Sequence, residues 1–91
     1  MSSADKPETL LTFPCEFPIK VMGKRVDGFA QEMTAVILVN APDFDPVHIE
    51  MRTSAGGKYI SLTCTINAQS QAQLDAIYRS LTSHPLVSIV L

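Results

Sequence analysis

Residues 58–67 alternate strictly, with Ile60, Leu62, Cys64 and Ile66 on one side and Tyr59, Ser61, Thr63, Thr65 and Asn67 on the other. A period of two commits this run to a strand with one buried face, and its β-branched residues suit a pleated surface. Such a strand is stable only inside a sheet that is backed by another apolar layer. The rest of the chain must therefore supply partner strands and a cover.

It does so in a regular order. Cys15, Phe17, Ile19 and Val21 alternate with Glu16, Lys20 and Met22, which predicts a first strand ended by Gly23. Lys24-Arg25-Val26-Asp27-Gly28 reads as the following loop, with Asp27 capping a helix. Phe29, Met33, Val36, Ile37 and Asn40 recur at helical spacing until Pro42 closes the helix. Leu38 and Val39 widen that stripe, so much of this helix is expected to be covered. After the turn Asp43-Phe44-Asp45-Pro46, Val47, Ile49 and Met51 alternate with His48, Glu50 and Arg52 as a second strand. Gly56-Gly57 marks a hairpin into the alternating run. Ser70-Gln71-Ala72-Gln73 is a capping box: the Ser70 hydroxyl can accept from the Gln73 amide while the Gln73 side chain reaches back. Leu74, Ile77, Tyr78 and Leu81 then form a helical stripe that His84-Pro85 ends. Residues 86–91 form a last strand, with Val87, Ile89 and Leu91 expected on one face and Leu86, Ser88 and Val90 on the other.

Strand, helix, strand, strand, helix, strand is the split βαβ plan. It predicts an α+β, ferredoxin-like two-layer sandwich: a four-stranded antiparallel sheet with both helices on one face and the first and third strands in the middle. Residues 1–9 are polar and are expected to form a flexible tail, leaving 10–91 as one domain.

Charge and size exclude several classes. Seven basic residues against nine acidic ones, for a net charge of −2, leave no cationic surplus for nucleic acid. No apolar run approaches the roughly 18 residues of a membrane span. The N-terminus has neither a basic n-region nor an apolar h-region, so a cytoplasmic address is expected. In that compartment Cys15 and Cys64 read as small buried hydrophobes, not as a disulfide. A 91-residue two-layer domain leaves no room for an interdomain cleft, and no nucleophile–base constellation can be assembled. No catalytic residue, metal ligand or cofactor is expected.

Two surfaces remain. Gly23, Lys24, Arg25 and Gly28 follow the first strand, where a helix N-terminus and two cations favour a small anion. On the expected outer sheet face, Met22, Tyr59, Leu86 and Val90 are apolar surplus suited to a homodimer or a protein partner. The alternating acids Asp43 and Asp45 lack the glycine and the bidentate acid of a calcium loop, and His48 and Glu50 are expected to share a face away from that turn. His84 at a helix C-terminus is explained by the helix dipole.

The chain also resembles a known family. Phe13-Pro14-x-x-Phe17-x-x-Lys20-Val21-Met22-Gly23, the hairpin Ser54-x-Gly56-Gly57-Lys58-Tyr59-x-Ser61-Leu62-Thr63, and Ile66-Asn67-Ala68 through Ile77-Tyr78 to Val87-x-x-Val90-Leu91 resemble the YbeD-like family of small uncharacterised bacterial proteins. That resemblance implies a ferredoxin-like fold similar to the ACT-type regulatory domains of amino-acid metabolism. In ACT domains a ligand glycine lies in the first strand–helix loop, where Gly23 or Gly28 would stand here, and such domains usually pair side by side. The expected function is a non-catalytic regulatory module that binds a small metabolite or anion at that loop. The alternative is an interaction or dimerisation module using the outer sheet face.

Overall fold

The computed structural model describes residues 12–91, so the expected tail at 1–9 and residues 10–11 lie outside the described residues. Strand β1 (Cys15–Lys24) leads through helix α1 (Phe29–Asn40) to β2 (Ile49–Thr53). Strand β3 (Tyr59–Ala68), helix α2 (Gln71–Thr82) and β4 (Val87–Val90) complete the chain. The sheet order is β2-β3-β1-β4 with every neighbouring pair antiparallel, so β1 and β3 are central as their alternation requires.

The two periodicities meet in one core. Ile60, Leu62, Cys64 and Ile66 of β3 and Ile19 and Val21 of β1 point to the same side. Phe29, Met33 and Ile37 of α1 and Leu74, Ile77 and Leu81 of α2 pack onto them in a single buried cluster. No polar or charged side chain is buried among the described residues, so nothing there must be satisfied at the expense of packing. The capping box forms: the Gln73 amide donates to Ser70 Oγ at 3.1 Å. Gln73 Oε1 accepts from the Gln69 amide at 2.7 Å, and Gln73 Nε2 donates to the Asn40 carbonyl at 2.9 Å. One side chain thus caps α2 and ties it to the end of α1.

Five expectations are corrected. Gly23 does not end the first strand; it lies inside β1, paired with Ile60 on one side and Val87 on the other. A Cβ there would overlap the Leu86 carbonyl oxygen and stand 2.6 Å from the Phe29 ring, so glycine is required by close packing. Asp27 does not cap α1; the N-cap is Gly28, left-handed at φ 83, with no side-chain cap. Leu38 and Val39 do not extend the covered stripe, because Val39 is 79% exposed and Leu38 is at the surface. Pro46–His48 is a 3-10 turn preceding β2, with the Val47 amide donating to Asp45 Oδ1 at 3.0 Å; Val47 is therefore exposed and not a strand residue. Finally, the register of β4 slips between Met22 and Gly23, leaving an extra residue opposite them. Val87 faces the core opposite Gly23 as expected, but beyond the bulge Val90 turns toward the core opposite Val21 and Ile89 falls opposite Met22, the reverse of the faces that plain alternation gives them.

Candidate functional site

The end of β1, the start of α1 and the β2–β3 hairpin converge at one corner of the molecule. The Arg25 amide donates to the Lys58 carbonyl at 2.9 Å, which pins the loop to the hairpin. A cavity of about 480 Å³ opens beside this tie. It is walled by Arg25 to Gln31, with Met51, Gly57 and Ile60 from across the sheet.

Its electrostatics come from the way α1 begins. With Gly28 at the N-cap, no side chain occupies the first turn's donors. The Phe29 amide reaches the Val26 carbonyl at 3.3 Å and the Glu32 amide the Gly28 carbonyl at 2.9 Å. The Ala30 and Gln31 amides have no partner among the described residues. Arg25 Nη1 lies 3.4 Å from the point where a Cβ on Gly57 would stand. The guanidinium thus lies across the hairpin in ordinary contact with Gly57, where glycine is needed for its left-handed φ of 72. Asp27 also lines the cavity, yet the only ion pair among the described residues is His84 Nε2 to Glu32 Oε1 at 3.4 Å. Arg25 and Asp27 thus stand in one cavity without neutralising each other within 4.0 Å. Such a corner can hold an oxyanion on the guanidinium and the free amides, and a donor on the carboxylate.

The nominated ligand residues divide. Arg25 and Gly28 line the cavity. Lys24 is exposed at the end of β1, paired with Tyr59, and Gly23 is closed off by Phe29 and Leu86; neither lines it. The sequence reading missed Ala30, Gln31, Met51, Gly57 and Ile60, which only the fold assembles. The Gly56-Gly57 pair is the one signal in the sequence that marks the hairpin's share of this cavity.

The nominated interface set also divides. Tyr59 is 47% exposed and Met22 is half-buried on the outer face. Leu86 and Val90 pack against the core instead, and Ile89, which is 50% exposed, takes their place outside. His48 does not share a face with Glu50 away from the turn. It sits in the 3-10 turn and borders a hollow of about 210 Å³ together with Glu16, Asp43 and Asp45. Among the described residues no three His, Cys, Asp or Glu side chains stand close enough to hold a metal ion. Cys64 is fully buried and its burial pushes the thiol up to about 11, so it is protonated at neutral pH; Cys15 is half-buried, and both are free. No helix among the described residues is long and apolar enough to cross a membrane.

A family model described as "Protein of unknown function (DUF493)" matches residues 8–91. The chain belongs to the DUF493 family. A UPF0250 protein of Bordetella pertussis is 52% identical over 91 residues, covering 100% of both chains. Another, from Nitrosomonas europaea, is 49% identical over 84 residues, covering 92% of this chain and 97% of its own. These relatives agree with the YbeD-like resemblance. Among solved structures, the solution structure of protein HP0495 from H. pylori aligns with a TM-score of 0.73 at 13% identity, covering 100% of this chain and 96% of its own. The ACT domain from GTP pyrophosphokinase of Chlorobium tepidum aligns with a TM-score of 0.58 at 20% identity, covering 84% of this chain and 94% of its own. At such identities the shared feature is the fold: this DUF493 chain has the ferredoxin-like architecture that its element order predicts and the ACT-like form that the family resemblance implies.

Proposed function

We propose that this DUF493 chain is a non-catalytic regulatory module that takes a small acidic metabolite in the corner between the first strand–helix loop and the hairpin. The observation that carries this reading is the uncapped start of α1. The free Ala30 and Gln31 amides and the Arg25 guanidinium share one cavity, where an oxyanion completes their hydrogen bonding. The Asp27 carboxylate on the same wall disfavours a polyanion and suits a ligand that carries an amine or hydroxyl beside its acid group. The ACT-like fold supports this reading by analogy, since one structural neighbour is a domain of a GTP pyrophosphokinase.

A thermal-shift panel of amino acids, hydroxy acids, other organic acids and nucleotides tests the proposal. At least one compound is expected to raise the Tm by more than about 1 °C at millimolar concentration, because binding the native state must stabilise it. Arg25→Gln is expected to remove that shift while leaving the ligand-free Tm nearly unchanged. A panel with no response from the wild-type chain would count against the proposal, as would an undiminished response from the variant.

The outer-face association reading is weaker. Two of its four residues, Leu86 and Val90, are spent on the core.

A further inference from the structure

The corner cavity does not end at the start of α1. Ala30, Gln31 and Met51, which wall it, also line a second hollow of about 520 Å³ between α1 and β2. The two hollows form one continuous surface with two chemistries. The corner end holds Arg25, Asp27 and the free amides of α1. The groove end holds no charged side chain; Thr34, Ala35, Leu38, Pro46 and Ile49 complete its lining. The Thr34 hydroxyl donates to the Ala30 carbonyl at 2.8 Å, so its one proton is spent within the helix.

Local sequence keeps this groove open. On α1, Ala30, Thr34 and Leu38 stand four residues apart and follow one side of the helix, with Ala35 beside them. The small residues leave a channel, and Leu38 is the last helix residue along it. Across the channel, Met51 pairs with the buried Leu62 and so points to the helix side of the sheet, yet it is 55% exposed. Leu38 is 36% exposed. Two large apolar side chains thus face water along a groove that no described element covers. From Ala30 to Leu38 the helix rises about 12 Å.

We propose, resting on the acid-binding reading of the corner, that its ligand is an aliphatic acid whose chain runs along this groove. The acid group lies on the Arg25 guanidinium and the Ala30 and Gln31 amides, and the chain passes over Ala35 between Leu38 and Met51. Charge complementarity argues for this occupant. A cation and free donors at one end, with no charge along the groove, match an anion that is polar at one end only. A polar chain would lose water there and find no partners. A compact acid would fill the corner and leave the groove wet. About 12 Å takes an extended chain of roughly ten carbons, whose ~1.5 Å bonds zigzag. The groove is open on one side, so each methylene gains about half of full burial. That is about a twofold gain in affinity, against roughly fourfold for complete burial.

Isothermal titration with straight-chain 2-hydroxy acids of increasing length, from short to longer than the groove, tests it. The wild-type affinity is expected to rise about twofold per added carbon and to level off near roughly ten carbons. Leu38→Gln and Ala35→Gln each put an uncharged amide in the groove. Both positions are exposed, and unchanged circular dichroism and Tm would confirm that each variant folds. Each is expected to flatten the chain-length dependence while the shortest acid binds as before. Arg25→Gln is expected to abolish binding at every length. Equal affinity at all lengths, lost in Arg25→Gln, overturns the aliphatic chain and leaves the corner reading standing. So does a chain-length dependence that neither groove variant alters. Groove variants that change the sedimentation of the ligand-free chain, but not its chain-length dependence, assign the groove to a second copy and overturn the proposal. No binding at any length, or binding that survives Arg25→Gln, overturns the corner reading as well.

Discussion

At the residue scale, glycines and one cysteine hold more of the structure than their size suggests. Gly23 sits where β1 passes under Phe29 and beside Leu86, with no space for a methyl group. Gly23→Ala is expected to destabilise the fold by about 2 kcal/mol or more through overpacking, read as a lower urea midpoint at unchanged m. An unchanged midpoint would mean that Phe29 has room to move aside. Cys64 gives a pH signature. Burial raises its thiol from 9.0 to about 11, so above pH 9 the unfolded chain loses a proton that the folded chain keeps. Stability is then highest below about pH 9 and falls as pH rises toward 11, by about 2 kcal/mol at pH 10.5. Cys64→Ala should lose that part of the slope, so urea denaturation of both chains at pH 8 and pH 10.5 isolates it; equal slopes would contradict the assignment. Residue by residue, the inward face of β3 was legible because alternation reports burial directly. Gly23 was misplaced because a glycine that ends a strand and one that admits a neighbour's ring look the same in one dimension.

At the element scale, the helices show what local pattern can and cannot specify. The Ser70–Gln73 box was legible as written, since a cap needs only its own neighbours. Its long-range bond, Gln73 Nε2 to the Asn40 carbonyl, was not, because nothing local marks the end of α1 as its target. Gln73→Ala removes the bonds to Gln69 and Asn40 together and is expected to cost about 1–2 kcal/mol. Ser70→Ala is expected to cost about 1 kcal/mol by comparison. Chemical denaturation of the two variants ranks them; an equal or smaller loss for Gln73→Ala would mean that the tie to α1 adds nothing. Strand β4 was misread for the opposite reason. A bulge shifts the phase of a strand by one residue, and its cause is the pairing with β1 at Met22 and Gly23, far away in the sequence. The same limit applied at α1, where Leu38 and Val39 look like core but fall off the buried stripe of Met33, Ile37 and Ala41 and face outward.

At the scale of the whole molecule, architecture was legible because six elements in this order have few compact arrangements, and both apolar layers agreed with one of them. The candidate site was half legible. Arg25 and Gly28 belong to a contiguous loop, whereas Met51, Gly57 and Ile60 reach the same cavity only once the hairpin folds back over it. In the proposed function this corner, and not the outer face of the sheet, receives a small acidic ligand. An amide-resolved NMR titration with the compounds of the thermal-shift panel distinguishes the two surfaces. A binding compound is expected to shift the amides of Arg25, Gly28, Ala30, Gln31 and Gly57 first and saturably, in the chain as it stands and not in Arg25→Gln. Shifts centred on Lys20, Tyr59 and Thr63 of the outer face, or no shift with any compound at millimolar concentration, would contradict it.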